Sequence, residues 1–213
     1  MRIRKRYIYL VGIAVLLASL TACKQNENAP TEEKQAAQQP PAPPMGGMPP
    51  ASPAGPPNQA AGVAWTIPSG WENGPLHQMR IATYHIRAIA GDPDDAECAV
   101  YFFGTGQGGS VEANLERWAQ QFTSPDGKSA APAKMDKRVV DGMKISTMSV
   151  AGTYLGSGAM MGQQPAKKTN SRMLGAIVEA PQGLVFFKLT GPLNTVASSE
   201  SDFNTMLGSV HKQ

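Results

Sequence analysis

The sequence predicts an α+β fold, a mostly antiparallel β-sheet packed by two helices, and three observations carry that expectation. Short apolar runs with period-two alternation are joined by hairpin signals, chiefly Asp141-Gly142 and Pro181-Gln182-Gly183. Two segments, Val111 to Phe122 and the stretch from Thr195 onward, carry apolar residues at helical spacing. A change of composition near Gly62 sets this domain, residues 63–213, apart from a signal peptide (1–22) and a disordered linker (23–62) ahead of it.

Arg2, Arg4, Lys5 and Arg6 precede an uncharged apolar run from Tyr7 to Leu20, the basic and hydrophobic regions of a secretory signal. At about 14 residues the run falls short of the roughly 20 that a membrane-spanning helix needs. Leu20-Thr21-Ala22-Cys23 resembles the lipobox of bacterial lipoproteins. The resemblance implies cleavage before Cys23 and a diacylglyceryl group, with acyl chains such as palmitate, on its thiol. Each buried CH₂ contributes about 0.8 kcal/mol, so an anchor of two or three chains is effectively permanent. The expected location is the bacterial cell envelope. Lys24 after the lipidated cysteine, where an aspartate signals inner-membrane retention in enterobacteria, favours the periplasmic face of the outer membrane in a Gram-negative cell.

Lys24 to Gly62 is dominated by Pro, Ala, Gln and Gly, with Met45 and Met48 its only large apolar residues. Such a segment buries too little surface to offset its ordering entropy. As a proline-rich tether it extends by up to about 3.1 Å per residue. Four of the nineteen basic residues lie in the signal, leaving fifteen basic against sixteen acidic residues behind it. With a net charge near −1 the mature chain has no electrostatic footprint for polyanions, and no nucleic-acid partner is expected.

Within the domain a short strand is expected at Val63 to Ile67. Met79 to Ile89 follows, with Ala82, Tyr84, Ile86 and Ala88 on one face and His85 and Arg87 on the other. Glu97 to Phe103 is apolar on both faces and reads as a central, covered strand. Ser110 is a suitable N-cap for a helix to Phe122, with Val111, Leu115, Trp118 and Phe122 along one side and Glu112 in the first turn. Strands at Lys134 to Val140 and Met143 to Tyr154 flank Asp141-Gly142. Arg172 to Ala180 and Leu184 to Thr190 form a second hairpin. The last helix, from about Thr195, has an apolar side made by Val196, Phe203, Met206, Leu207 and Val210. The expected order is βββαββββα.

The segments Trp65-Thr66-Ile67-Pro68, Gly70-Trp71, Met79-Arg80, Gly108-Gly109-Ser110-Val111, Asn114, Arg117-Trp118 and Lys188-Leu189-Thr190-Gly191-Pro192 resemble those of uncharacterised bacterial lipoproteins. With the element order, they are similar to the PsbP-like α/β/α sandwiches, a fold shared by photosystem assembly subunits and a eukaryotic nuclear-import factor. That resemblance implies partner binding and a non-enzymatic role, by analogy of fold.

Candidate chemistry is sparse. Gly104-Thr105-Gly106-Gln107-Gly108-Gly109 satisfies G-x-G-x-x-G between a strand and a helix, yet hairpins follow it where a dinucleotide fold needs a parallel βαβ unit. Gly106, Gly108, Gly109 and Ser110 stay candidates for a loop holding some other small anion at the helix start. Asp92, Asp94, Asp95 and Glu97 carry oxygens for calcium, but Pro93 interrupts the EF-hand alternation and a solvated turn is favoured. His77, His85 and His211 form no ligand pairing for zinc or iron. Gly156-Ser157-Gly158 lacks the spacing of a nucleophile elbow. The Met45/Met48 and Met160/Met161 pairs are soft ligands without a supporting histidine. No metal, cofactor or catalytic residue is therefore assigned. Met160 and Met161, in a loose segment followed by Lys167-Lys168, are candidates for a partner-contact loop. Once Cys23 is lipidated, Cys98 is left alone in an apolar run and reads as a small buried hydrophobe. The expectation is a membrane-anchored binding or assembly module whose partner is an envelope protein or polymer. The alternative is a small-ligand receptor or enzyme using the loop at 104–110.

Overall fold

The computed structural model describes residues 58–75, 77, 79–156 and 167–213. The signal segment, Cys23, the linker through residue 57, and Met160 and Met161 lie outside the described residues. The elements in chain order are β1 (Gln59–Ala60), β2 (Val63–Ala64), β3 (Glu72–Asn73), β4 (Ala82–Ile86), β5 (Ala96–Phe102), α1 (Val111–Ala119), β6 (Phe122–Thr123), β7 (Ala133–Val140) and β8 (Met143–Tyr154). They continue with β9 (Lys168–Ala180), β10 (Gly183–Pro192), α2 (Leu193–Ser198), α3 (Glu200–Gly208) and β11 (His211–Lys212).

The main sheet runs β3-β4-β5-β10-β9-β8-β6, with β7 also paired to β8, and β1-β2-β11 form a second, three-stranded sheet. Every pairing is antiparallel. The two sequence-predicted hairpins are present, with Val140 opposite Met143 and Ala180 opposite Gly183.

Period-two alternation sends side chains to both faces of the sheet, and each face is covered by helix. On one side Tyr84, Cys98, Val100, Leu174, Val178, Val185, Phe187 and Leu189 pack with Val196 of α2 and Phe203, Met206 and Leu207 of α3. On the other, Met148, Val150, Met173, Ile177 and Phe186 pack with Leu115 and Trp118 of α1 and with Phe122. The helix rests close to the sheet because Gly175 has no side chain: a Cβ there would lie 2.7 Å from the Trp118 ring. Full burial of side chains the size of Phe186 and Phe187 contributes roughly 1.5–3 kcal/mol each. The result is the α+β sandwich that the sequence predicts.

Several boundaries differ from the sequence reading, each for a local reason. The strand expected at Val63 to Ile67 stops at Ala64, where the Trp65 indole turns inward to donate to the Tyr84 hydroxyl at 2.9 Å and meets Phe187 edge-on. The strand expected from Met79 begins at Ala82, because Met79 has φ 69°, which a strand does not accommodate. The first helix ends at Ala119, and Phe122 opens a strand paired with Tyr154. The last helix is two: Ser199, at φ −90° and ψ 0°, separates α2 from α3, so three helices pack the sheet. Its hydroxyl donates to the Thr195 carbonyl four residues back, a bond that bends helices. Sheet structure also begins at Gln59, inside the stretch that composition assigns to the linker.

Candidate functional site

Strand β9 overshoots its neighbour. The last β10–β9 pair is Pro192 with Ser171, yet β9 starts at Lys168 and pairs there with Tyr154 past an irregularity at Gly152. Pro192, without an N–H to donate, ends the ladder and the chain turns into α2. Over the end of β10 this leaves an open cleft of about 820 Å³. Its walls are the turn Gly91 to Asp95, residues Lys167 to Arg172, and Thr190 to Asn194, with Phe122, Tyr154 and Glu97 toward the interior.

The charged residues of these walls hold the walls in place. Asp92 Oδ2 accepts from the Thr195 backbone N–H at 2.7 Å and from its hydroxyl at 2.6 Å, and Oδ1 accepts from Asn194 at 3.1 Å. The Thr195 hydroxyl bond in particular holds the Asp92 carboxyl below the usual aspartate range. Asp95 accepts from the Ala88 N–H at 2.8 Å. Asp94 pairs with Lys168 at 3.0 Å across the mouth, exposed on both sides. Glu97 pairs with Arg80 at 2.7 Å, and Arg172 pairs with Glu200 at 2.9 Å. The four carboxylates weighed for calcium thus face four different partners. Among the described residues no group of three His, Cys, Asp or Glu is placed to hold a metal ion.

Behind Tyr154, outside the lining of the cleft, stands Lys188. On β10 it shares the α1 side of the sheet with Phe186 and Thr190, opposite Ala99 of β5 and Gly175 of β9. Its ammonium donates to Gln121 Oε1 at 2.8 Å and lies 5.7 Å from the centre of the Tyr154 ring. Among the described residues no carboxylate lies within 4.0 Å of it. Burial, and then the positive charges of Arg117 and Arg80, push its pKa down to about 8. Arg117 donates to the Asn114 side-chain oxygen. Arg80 lies over the Tyr101 ring at 5.9 Å, and Tyr101 stacks on the half-exposed Phe103 at 5.9 Å.

The glycine-rich loop leads from β5 into α1. Ser110 caps α1, its hydroxyl accepting from the Ala113 N–H at 3.2 Å. Asn114 donates to the carbonyls of Gly108 and Ser110, both at 2.7 Å, closing the loop on itself. Gly108 backs onto Phe186, where a Cβ would come within 2.8 Å of the ring. Gly106 and Gly109 are exposed. The loop's visible work is capping and close packing, and it lies at the opposite end of β5 from the cleft. Cys98 is buried and free, its thiol pushed up by desolvation. Lys188, Gln121 and Tyr154 escaped the sequence reading. The available signal was a lone charge in the apolar run Leu184 to Leu189, on the same face as Phe186.

No family model matches the chain, and no curated protein matches it. Among solved structures it is similar to the cyanobacterial PsbP protein, CyanoP, of Synechocystis sp. PCC 6803, with a TM-score of 0.45 and 12% identity, covering 80% of this chain and 99% of that one. It is also similar to PA94 of Pseudomonas aeruginosa, a protein of unknown function, with a TM-score of 0.39 and 9% identity, covering 66% and 96%. The α/β/α arrangement rests on this chain's own strand order and packing, and these likenesses assign it neither a partner nor a reaction.

Proposed function

We propose that the protein is a lipid-anchored module of the bacterial cell envelope, held through Cys23, that binds or assembles with an envelope protein or polymer through the cleft. The observation that carries this reading is where the cleft opens. The chain enters the domain at Asn58, beside the three-stranded sheet and the two hairpin turns: Lys212 N–H donates to Asp141 at 2.8 Å, and Gln182 N–H to the Ala61 carbonyl at 3.1 Å. Glu97, Tyr154, Lys168 and Thr190 lie at the other ends of their strands. The ten residues of β10 span that distance, about 30 Å at roughly 3.3 Å per residue. A partner reaches the cleft without meeting the point of attachment.

The cleft walls are braced by their own hydrogen bonds and ion pairs, as expected of a preformed recognition site. Lys24 supports the periplasmic face of the outer membrane as the location in a Gram-negative cell. Photo-crosslinking in living cells from Asn170, in the cleft wall, against Met135, exposed on β7, tests the reading. A specific envelope protein or polymer captured from position 170 and not from 135 is expected. Equal capture from both, or none from either, overturns it.

A further inference from the structure

We infer that the free edge of β7 is a dimerisation surface, on which a second copy of this chain adds its own β7, antiparallel, about a two-fold axis at Lys137. The inference goes beyond the cleft and does not depend on the reading given to it.

β7 pairs with β8 alone, so its other edge carries a row of backbone groups that meet no strand among the described residues. The hairpin fixes which groups these are. Asp141 and Gly142, at φ 46° and 73°, form a two-residue turn that makes Val140 and Met143 a hydrogen-bonded pair. Arg138, Asp136 and Lys134 therefore aim their N–H and C=O groups at β8, and Val139, Lys137 and Met135 aim theirs outward. The same three residues send their side chains to the α1 side of the sheet, where Lys137 pairs with Glu112 at 3.5 Å. Met135 and Val139 are 53% and 67% exposed, two apolar side chains left in water beside open hydrogen-bonding groups. Such an edge is a template for another strand unless charge, a bulge or a covering element blocks it.

The side chains select the partner and the register. With the two-fold at Lys137, Met135 lies opposite Val139 of the copy, so the exposed apolar residues cover each other, once on each side of the axis. Asp136 lies opposite Arg138 of the copy, in the non-hydrogen-bonded kind of pair that brings side chains closer. Both groups lack such a partner within the chain. Asp136 is exposed and makes no ion pair among the described residues. Arg138 donates to the Asn204 carbonyl at 3.3 Å, while its Nε is buried without a hydrogen-bond partner. Moving the axis by one residue sets Asp136 against its own copy, or Arg138 against its own, and like charges directly opposite destabilise a pair. Lysines on an edge commonly keep it single. Here Lys134 falls opposite Val140, and Lys137, on the axis, has Glu112 of its own chain beside it.

The test is oxidative crosslinking of the full chain in the cells that make it, with wild type as the background. In an antiparallel hydrogen-bonded pair the Cα atoms stand about 5.5 Å apart, within disulfide reach. Lys137→Cys is expected to form a disulfide-linked dimer, whereas Met135→Cys, displaced from its copy by about 13 Å along the strand, is not. The double variant Met135→Cys/Val139→Cys is expected to crosslink. In the Lys137→Cys background, Val139→Pro removes an outward N–H that β8 does not use, so β7 keeps its place in the sheet and the dimer is lost. Asp136→Arg is expected to lower the dimer yield about tenfold. Lys137→Cys that stays monomeric, or crosslinks no better than Met135→Cys, overturns the interface, as does a dimer that survives Val139→Pro. A disulfide to a different protein in place of the copy overturns it too. Photo-crosslinking at position 135 is expected to capture the chain itself, a product distinct from an envelope partner captured from Asn170, so the dimer and the cleft stand or fall separately.

Discussion

Lys188 Nζ donates to Gln121 Oε1 across 2.8 Å, tying a central strand of the sheet to the residue that follows the C-cap of α1. The bond joins two positions 67 residues apart and brings a cation inside the layer between helix and sheet. Its cost and its pH dependence can both be measured.

Lys188 has a folded pKa of about 8 against 10.5 unfolded, so the folded state disfavours its protonated form. The penalty is fully present below pH 8 and is relieved as pH rises from 8 to 10.5, where the unfolded chain holds a proton the folded one has lost. Lys188→Met is expected to be more stable than wild type at pH 7 by on the order of 2 kcal/mol, the full shift being discounted for partial exposure. The advantage should shrink toward pH 10. Tyr84 and Cys98, whose pKa values are raised by burial, act with the opposite sign but cancel in the difference between the two proteins. Urea denaturation at pH 7 and pH 10 checks this; a difference independent of pH would contradict it.

Gly175→Ala should destabilise the domain by about 1–3 kcal/mol, since the new Cβ would meet the Trp118 ring at 2.7 Å in a close-packed layer. Trp118→Leu should also destabilise, by leaving a cavity. Together the two should cost less than their sum, because the leucine removes the atoms that the alanine strikes. Additive losses in chemical denaturation would show that the helix shifts instead.

Asp92→Asn should lower the melting temperature at neutral pH, because three hydrogen bonds to Asn194 and Thr195 at the start of α2 lose their charge. Since the folded carboxyl has a lowered pKa, its stabilisation is present above the unfolded value of 3.8 and is lost as pH falls through the folded value. The melting curves of wild type and variant should therefore converge at acid pH, and calorimetry at neutral and acid pH reads this directly.

The proposed anchor predicts that the wild-type chain purifies with membranes and carries a lipid mass on Cys23, whereas Cys23→Ala stays uncleaved or is released. Intact mass and membrane fractionation decide between these outcomes. Two unmodified, soluble proteins would move the search for a partner away from the membrane surface.

The residues alone determined what is local. Asp141-Gly142 marked a hairpin whose second strand, Met143–Tyr154, has both ends where the alternation put them. Ser110 capped α1 as its type and position required. Elements of two residues, β1, β3, β6 and β11, were not legible, because a period needs several residues to show.

The tertiary structure alone decided which strands meet. Pairing β5 with β10 sets Thr190 opposite Glu97 and Lys188 opposite Ala99, and packing α1 above them brings Gln121 to the lysine. No local pattern encodes these contacts: they arise from burying both faces of one sheet at once, and that packing creates the cleft and sets Lys188 between Gln121 and Tyr154.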